Sequence, residues 1–228
     1  MLAASGAEVL ITGRDSGRAQ RVADAIGQAG GVAHPLTVDL AAHPAELRAF
    51  AVDALAALGG RVDILVNNAG IYPMGATEAI SDDDLTAILN TNIRAPHALV
   101  AAFAPGMAER GHGAIVNVGS WTARAGVPFT GIYAASKAAL EQLTRSWAAE
   151  YGPRGIRVNT VSPGVTATPG NESSSEIIAA IAGATAAGSP VRPVDIGYAV
   201  RFAVSEEAFF LHGSTIDVDG GITHTRIS

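Results

Sequence analysis

The chain contains no cysteine, so disulfide staples and thiolate metal sites are excluded, which suits a reducing, cytoplasmic setting. It has no apolar run near the roughly 18 residues that a membrane-spanning helix needs. Met1 to Leu10 opens without a basic residue and without a cleavage-like pattern, so it does not read as a signal peptide. A basic stripe is missing too: 15 Lys and Arg face 21 Asp and Glu, for a net charge of −6, and no nucleic-acid partner is expected. The six histidines are scattered, with no pair at ligand spacing on a helix, so no metal site is expected. What these absences leave is a small-molecule site with no membrane partner.

What is present suits one α/β domain. Of 228 residues, 48% are hydrophobic, enough for a sizeable core in a chain of single-domain length. Strand-like segments are read at Glu8–Thr12, Val32–Val38, Val62–Val66, Ala114–Val118, Ile156–Val161 and Ser214–Val218. Helical patterns lie between them, at Ser16–Ala29, Pro44–Leu58, Asp82–Glu109, Gly131–Tyr151 and Val194–Ser205. Asn171–Gly188 is rich in Ser, Ala and Gly and poorly patterned. Short apolar strands alternating with helices imply a parallel sheet covered on both faces, a single doubly wound Rossmann-type domain over residues 1–228. In such folds ligands bind beyond the C-terminal strand ends.

Lys137 is the only lysine among the fifteen basic Lys and Arg residues, and it stands four residues after Tyr133 in YAASK. Chance would put a lone lysine four residues after a tyrosine roughly 2% of the time here. Residues i and i+4 share a helix face, and a nearby ammonium lowers the pKa of a phenol. Tyr133 with Lys137 therefore makes a general acid/base; the alternative is an ordinary surface pair. Ser120, after the strand AIVNV, can hydrogen-bond a substrate oxygen or simply form a turn. Asn92 precedes Pro96 by four, and proline has no N–H to give the Asn92 carbonyl. Either that carbonyl holds a water or the helix breaks there. Asn67-Asn68-Ala69-Gly70 and Pro163-Gly164 follow strands and would let a flat ligand approach the backbone, or are plain turns.

Together NNAG at Asn67–Gly70, Asn92, Ser120, YAASK at Tyr133–Lys137, Pro163-Gly164 and DGG at Asp219–Gly221 resemble the short-chain dehydrogenase/reductase family. The pattern is similar to that of 3-oxoacyl-carrier-protein reductases and related sugar or alcohol dehydrogenases. The resemblance implies that Tyr133 exchanges a proton with the substrate oxygen. Lys137 would lower the Tyr133 pKa and hold the nicotinamide ribose, Ser120 would orient the oxygen, and Asn92 would position a relay water. It implies cofactor contacts at Asn67, Ala69 and Gly70, at Asp39 near the adenine, and at Pro163, Gly164 and Thr168 beside the nicotinamide. Gly13-Arg14 ends the first strand without a carboxylate, which favours NADP over NAD; Arg14 capping a turn is the alternative.

The resemblance also implies a strand and a TGxxxGxG turn that this sequence does not contain. Met1–Gly6 reads as the tail of the helix after that turn. The expectation is a working protein that starts further upstream, with a central strand between Glu8–Thr12 and Val62–Val66; the alternative is that the short form is real. The 228-residue form is then expected to bind NADP(H) very weakly. The functional expectation is a reductase or dehydrogenase for a small carbonyl or alcohol, and the rival is a catalytically silent subunit or binding protein. Tyr72, Met74, Trp121 and Phe129 line a pocket or pack in the core, and Thr168–Pro190 would be a lid. A homotetramer or homodimer is implied, using the helices at Asp82–Glu109 and Gly131–Tyr151 and the final strand.

Overall fold

Caps and breakers set most of the element ends. The computed structural model describes residues 1–168 and 171–225. In it the Asp15 carboxylate accepts from the Arg18 N–H at 2.9 Å and opens helix α1, Ser16–Gln28. Pro44 opens α2, Pro44–Ala57, where its missing N–H costs nothing. Ser81 caps α3, Asp82–Leu89, whose first turn holds Asp82, Asp83 and Asp84 at the positive end of the helix dipole. Gly111, in the left-handed region at φ 67°, closes α4, Ala95–Arg110. The later helices are α5, Gly131–Tyr151, α6, Ser175–Gly183, and α7, Pro193–Val204.

The strands are β1, Glu8–Gly13, β2, Val32–Thr37, β3, Ile64–Asn67, β4, Gly113–Val118, β5, Ile156–Pro163, and β6, Thr215–Val218. All pairings are parallel. Successive strand residues point to opposite faces, and the cores follow that rule. Leu65, Ile115 and Val158 face one core with Leu47 and Phe50 of α2, Leu99 and Phe103 of α4, and Leu140 and Trp147 of α5. Val66, Val116 and Val161 face the other with Ile196, Val200 and Ala203 of α7. The expected α/β, doubly wound arrangement is what the chain adopts.

The sheet is divided. β1 pairs with β2, and β3-β4-β5-β6 form a second sheet; among the described residues no strand lies between β1 and β3. Leu10 of β1 and Leu36 of β2 pack against the same core as α2 and α4, so both parts share one interior. The facing edges of β1 and β3 have no strand partner, so their backbone groups on that side lack ladder bonds.

One open alternative is resolved and one reading is corrected. Of the two alternatives at Asn92, the helix continues. It runs from α3 through a π turn at Asn90–Arg94 into α4, with the Ala95 N–H bonded to the Asn90 carbonyl. The ladder widens just where Pro96 brings no N–H. The Ser- and Ala-rich stretch after β5 contains a helix, α6, which buries Ile178 and Ala182 one turn apart; its Ala and Gly content hid that spacing. No helix among the described residues is long and apolar enough to cross a membrane.

Candidate active site

The candidate residues gather along one edge of the sheet because they follow the C-terminal ends of parallel strands. Arg14 follows β1, Asp39 follows β2, Asn67 ends β3, Ser120 follows β4, and Pro163 ends β5. The Val38 N–H bonds the Gly13 carbonyl at 3.0 Å, which draws the ends of β1 and β2 together.

Asn92 is fully buried, at 0% exposure. Its Oδ1 accepts from the Ile71 N–H at 2.9 Å, and its Nδ2 donates to the Ile71 carbonyl at 2.9 Å and to Ser136 Oγ at 3.0 Å. The side chain thus ties the loop after β3 to α5. Ser136, inside YAASK, also donates to the Tyr133 carbonyl at 2.7 Å; its place in the motif was visible in the sequence, but its partners were not.

Lys137 and Tyr133 lie on one side of α5. The Lys137 ammonium donates to the Val118 carbonyl at 2.8 Å and sits 6.0 Å from the centre of the Tyr133 ring. Burial pushes the Lys137 pKa down to about 8. The expected lowering of the phenol is not found. Burial pushes the Tyr133 pKa up, and hydrogen bonding with Ser120 draws it only partly back. Desolvation of the phenolate outweighs an ammonium whose hydrogen bond goes to Val118. Ser120 also caps the turn Trp121–Arg124, accepting from the Thr122 N–H at 3.3 Å.

Gly70 is the point where NNAG meets these groups. A Cβ there would lie 3.2 Å from Lys137 Nζ and 3.3 Å from Asn92 Oδ1. Glycine leaves that approach open, and Ala69 and Gly70 are exposed beside it. This open space beside an ammonium and an amide fits a flat, polar-edged group such as a nicotinamide ring.

The other expected cofactor residues divide. Arg14 and Asp39 are exposed at the same strand edge, with the Asp39 carboxylate accepting from the Ala41 N–H at 2.9 Å. Asn67 is turned inward: its Nδ2 donates to Asn117 Oδ1 at 2.8 Å, and Asn117 continues to Thr144 at 2.7 Å. Its amide is therefore committed to the sheet, a tie that a motif cannot reveal. Gly164 has a packing reason of its own, since a Cβ there would lie 2.5 Å from Asp219 Cα. The Thr168 N–H donates to Asn171 Oδ1 at 2.8 Å. Within the expected lid, Pro169 and Gly170 lie outside the described residues.

Sequence reading missed a charged cluster beside Ser120. Arg124 binds Asp217 of β6 and donates to Ser162 Oγ at 3.2 Å, with Glu141 Oε1 3.5 Å away. Burial raises the Glu141 pKa. No spacing rule links residues 93 positions apart. A cavity of about 670 Å³ lies elsewhere, between α1 and the turn at Ala3–Ser5, lined by Met1, Ala3, Val22 and Ile26. Concavity points there, yet it holds no acid/base pair, and the chemistry stays with Tyr133.

A family model described as enoyl-(acyl carrier protein) reductase matches residues 1–223. Cyclopentanol dehydrogenase of a Comamonas species is 35% identical over 226 residues, covering 98% of this chain and 90% of that protein. A Xanthobacter autotrophicus protein named inactive 2-(S)-hydroxypropyl-CoM dehydrogenase 2 is 37% identical over 227 residues, covering 96% of each. A gluconate 5-dehydrogenase from Burkholderia cenocepacia, solved with NADP and tartrate, superimposes with a TM-score of 0.90 at 32% identity. That match covers 98% of this chain and 88% of the other. By its family model, its relatives and its fold, the chain belongs to the short-chain dehydrogenase/reductase family of NAD(P)-dependent oxidoreductases.

Proposed function

We propose that this chain interconverts a small carbonyl compound and a secondary alcohol with Tyr133 as general acid/base and NADP(H) as hydride partner. The observation that carries the reading is Lys137 Nζ 6.0 Å from the Tyr133 ring on one side of α5, with Ser120 near enough to the phenol to draw its pKa down. NADP(H), when bound, supplies or accepts the hydride at the carbon. In reduction Tyr133 gives its proton to the substrate oxygen. A phenol held above its usual pKa stays protonated across neutral pH, and a forming alkoxide is far more basic than phenolate, so the transfer runs downhill. Ser120 orients the oxygen. Lys137, with a pKa of about 8, is mostly charged at neutral pH and balances the phenolate left behind. It also holds the nicotinamide ribose. The Asn92 carbonyl, without an N–H from Pro96, positions the relay water that reprotonates the site.

Arg14 supports NADP over NAD: it is exposed just after β1, and the neighbouring Asp15 carboxylate is engaged as the cap of α1, accepting from the Arg18 N–H at 2.9 Å, which leaves the guanidinium for a 2′-phosphate. The test is NADPH oxidation by the purified protein with a panel of ketones, at millimolar cofactor.

A second reading is a catalytically silent binding protein. It draws support from a relative at 37% identity that is named inactive. Ketone-dependent NADPH oxidation that Tyr133→Phe abolishes would overturn it.

A homotetramer or homodimer in the cytoplasm completes the proposal. Phe209 and Phe210, stacked edge to face at 5.2 Å and both exposed, stand between α7 and β6 and suit a surface covered by a second copy. A clean monomer in sedimentation would remove it.

A further inference from the structure

Three large apolar side chains, two in the loop after β3 and one in the turn that leads into α5, stand in solvent with no folding reason for their exposure. Tyr72 is 50% exposed, Met74 63% and Phe129 65%, so none of them serves the core. The Tyr72 ring meets the Tyr133 ring edge to face, with centroids 6.2 Å apart. The Gly75 N–H donates to the Phe129 carbonyl at 3.0 Å, which fixes the loop after β3 alongside the turn that leads into α5.

Phe129 carries the argument further. Among the described residues it is the one non-glycine with positive φ, at 65°. A bulky side chain in the left-handed region is costly, whereas Gly or Asn would sit there without strain. The chain keeps a phenyl ring at that position, four residues before Tyr133, and leaves the ring outside the core. Neither packing nor turn chemistry accounts for it; contact with an apolar ligand does.

Charge narrows the ligand. From Ile71 to Thr77 no residue carries a charge, and from Trp121 to Ile132 the one charged residue is Arg124. Its guanidinium is bound to Asp217 and Ser162. Lys137, the cation nearest Tyr133, is buried and donates to the Val118 carbonyl, so a substrate carboxylate or phosphate lying along these two segments would find no free cation in them.

We infer that the substrate is a neutral carbonyl compound, or its alcohol, with an aromatic or alicyclic body packed against Tyr72, Met74 and Phe129. This rests on the reading of Tyr133 as the carbonyl site, and the test separates the two. Acetophenone and 4-acetylbenzoate differ by one carboxylate, and their binding is titrated by ligand-observed NMR with NADP⁺ present, which has no hydride to give a ketone. Acetophenone is expected to bind at least about tenfold tighter. Phe129→Gly and Met74→Gln should each weaken acetophenone several-fold, while Phe129→Gly leaves the Tm unchanged or raises it. Equal binding of the two ketones, preference for the carboxylate, saturable binding of neither, or variants that bind acetophenone like the wild type would overturn the inference. Binding is read without turnover, so a Tyr133→Phe protein that still reduces ketones overturns the catalytic reading alone.

Discussion

The Lys137 ammonium hydrogen-bonds the Val118 carbonyl at 2.8 Å, so the one lysine of the chain is anchored to the end of the strand that delivers Ser120. Burial holds its pKa at about 8, against 10.5 for a free lysine. Below pH 8 both folded and unfolded chains carry the proton, and the folded one bears the desolvation cost. Between pH 8 and 10.5 the unfolded chain binds more protons, so this group's contribution to stability rises with pH, by on the order of 3 kcal/mol in full. Lys137→Met should remove that rise. The stability difference, wild type minus variant, measured by urea unfolding from pH 7 to 10, is expected to increase with pH. A difference independent of pH would contradict the burial. Lys137→Arg should be severe for activity, because the larger guanidinium does not fit beside Gly70.

Asn92→Leu leaves the Ile71 N–H and carbonyl without the partners they have at 2.9 Å. An unpaired buried polar group costs about 1–3 kcal/mol, so a fall in Tm of roughly 4–24 °C is expected for two such groups in a chain of this size. Thermal unfolding by circular dichroism checks it, and a shift under 2 °C would contradict it.

Gly164→Ala drives a methyl to 2.5 Å from Asp219 Cα and 2.7 Å from its carbonyl oxygen. Backbone must move, and a loss of about 2–4 kcal/mol is expected. Gly27→Ala, in α1 with open space around the new methyl, should instead gain about 1 kcal/mol through helix propensity. Chemical denaturation of both variants measures the contrast.

Arg14→Glu replaces an exposed cation at the end of β1 with a carboxylate. The ratio of kcat/KM for NADPH to that for NADH should fall at least about tenfold. An unchanged ratio would remove Arg14 from the 2′-phosphate site.

Much of this molecule was readable before its coordinates. The six strands and the principal helices follow from apolar runs, from Asp15, Pro44 and Ser81 at helix starts and from glycines at helix ends. The shared face of Tyr133 and Lys137 follows from helical spacing alone. What escaped depends on tertiary neighbours. Asn67 reads as a ligand contact, and no spacing in the sequence shows that its Nδ2 is given to Asn117 at 2.8 Å. Tyr133 reads as an acidified phenol until its burial is weighed against the lysine. The π turn at Asn90–Arg94 has no periodicity of its own, and Arg124 finds Asp217 only through the fold. Phe129 gave an apolar residue of unknown use, and only its φ of 65° and its exposure separate wall from core.

The most direct measurement compares wild type with Tyr133→Phe in NADPH-dependent reduction of acetophenone, alongside NADPH titration and thermal melts of both proteins. Turnover by the wild type, lost by at least about 10²-fold in the variant with cofactor binding and Tm nearly unchanged, is the expected result. A variant that keeps most of the activity would contradict the assignment of the proton to Tyr133.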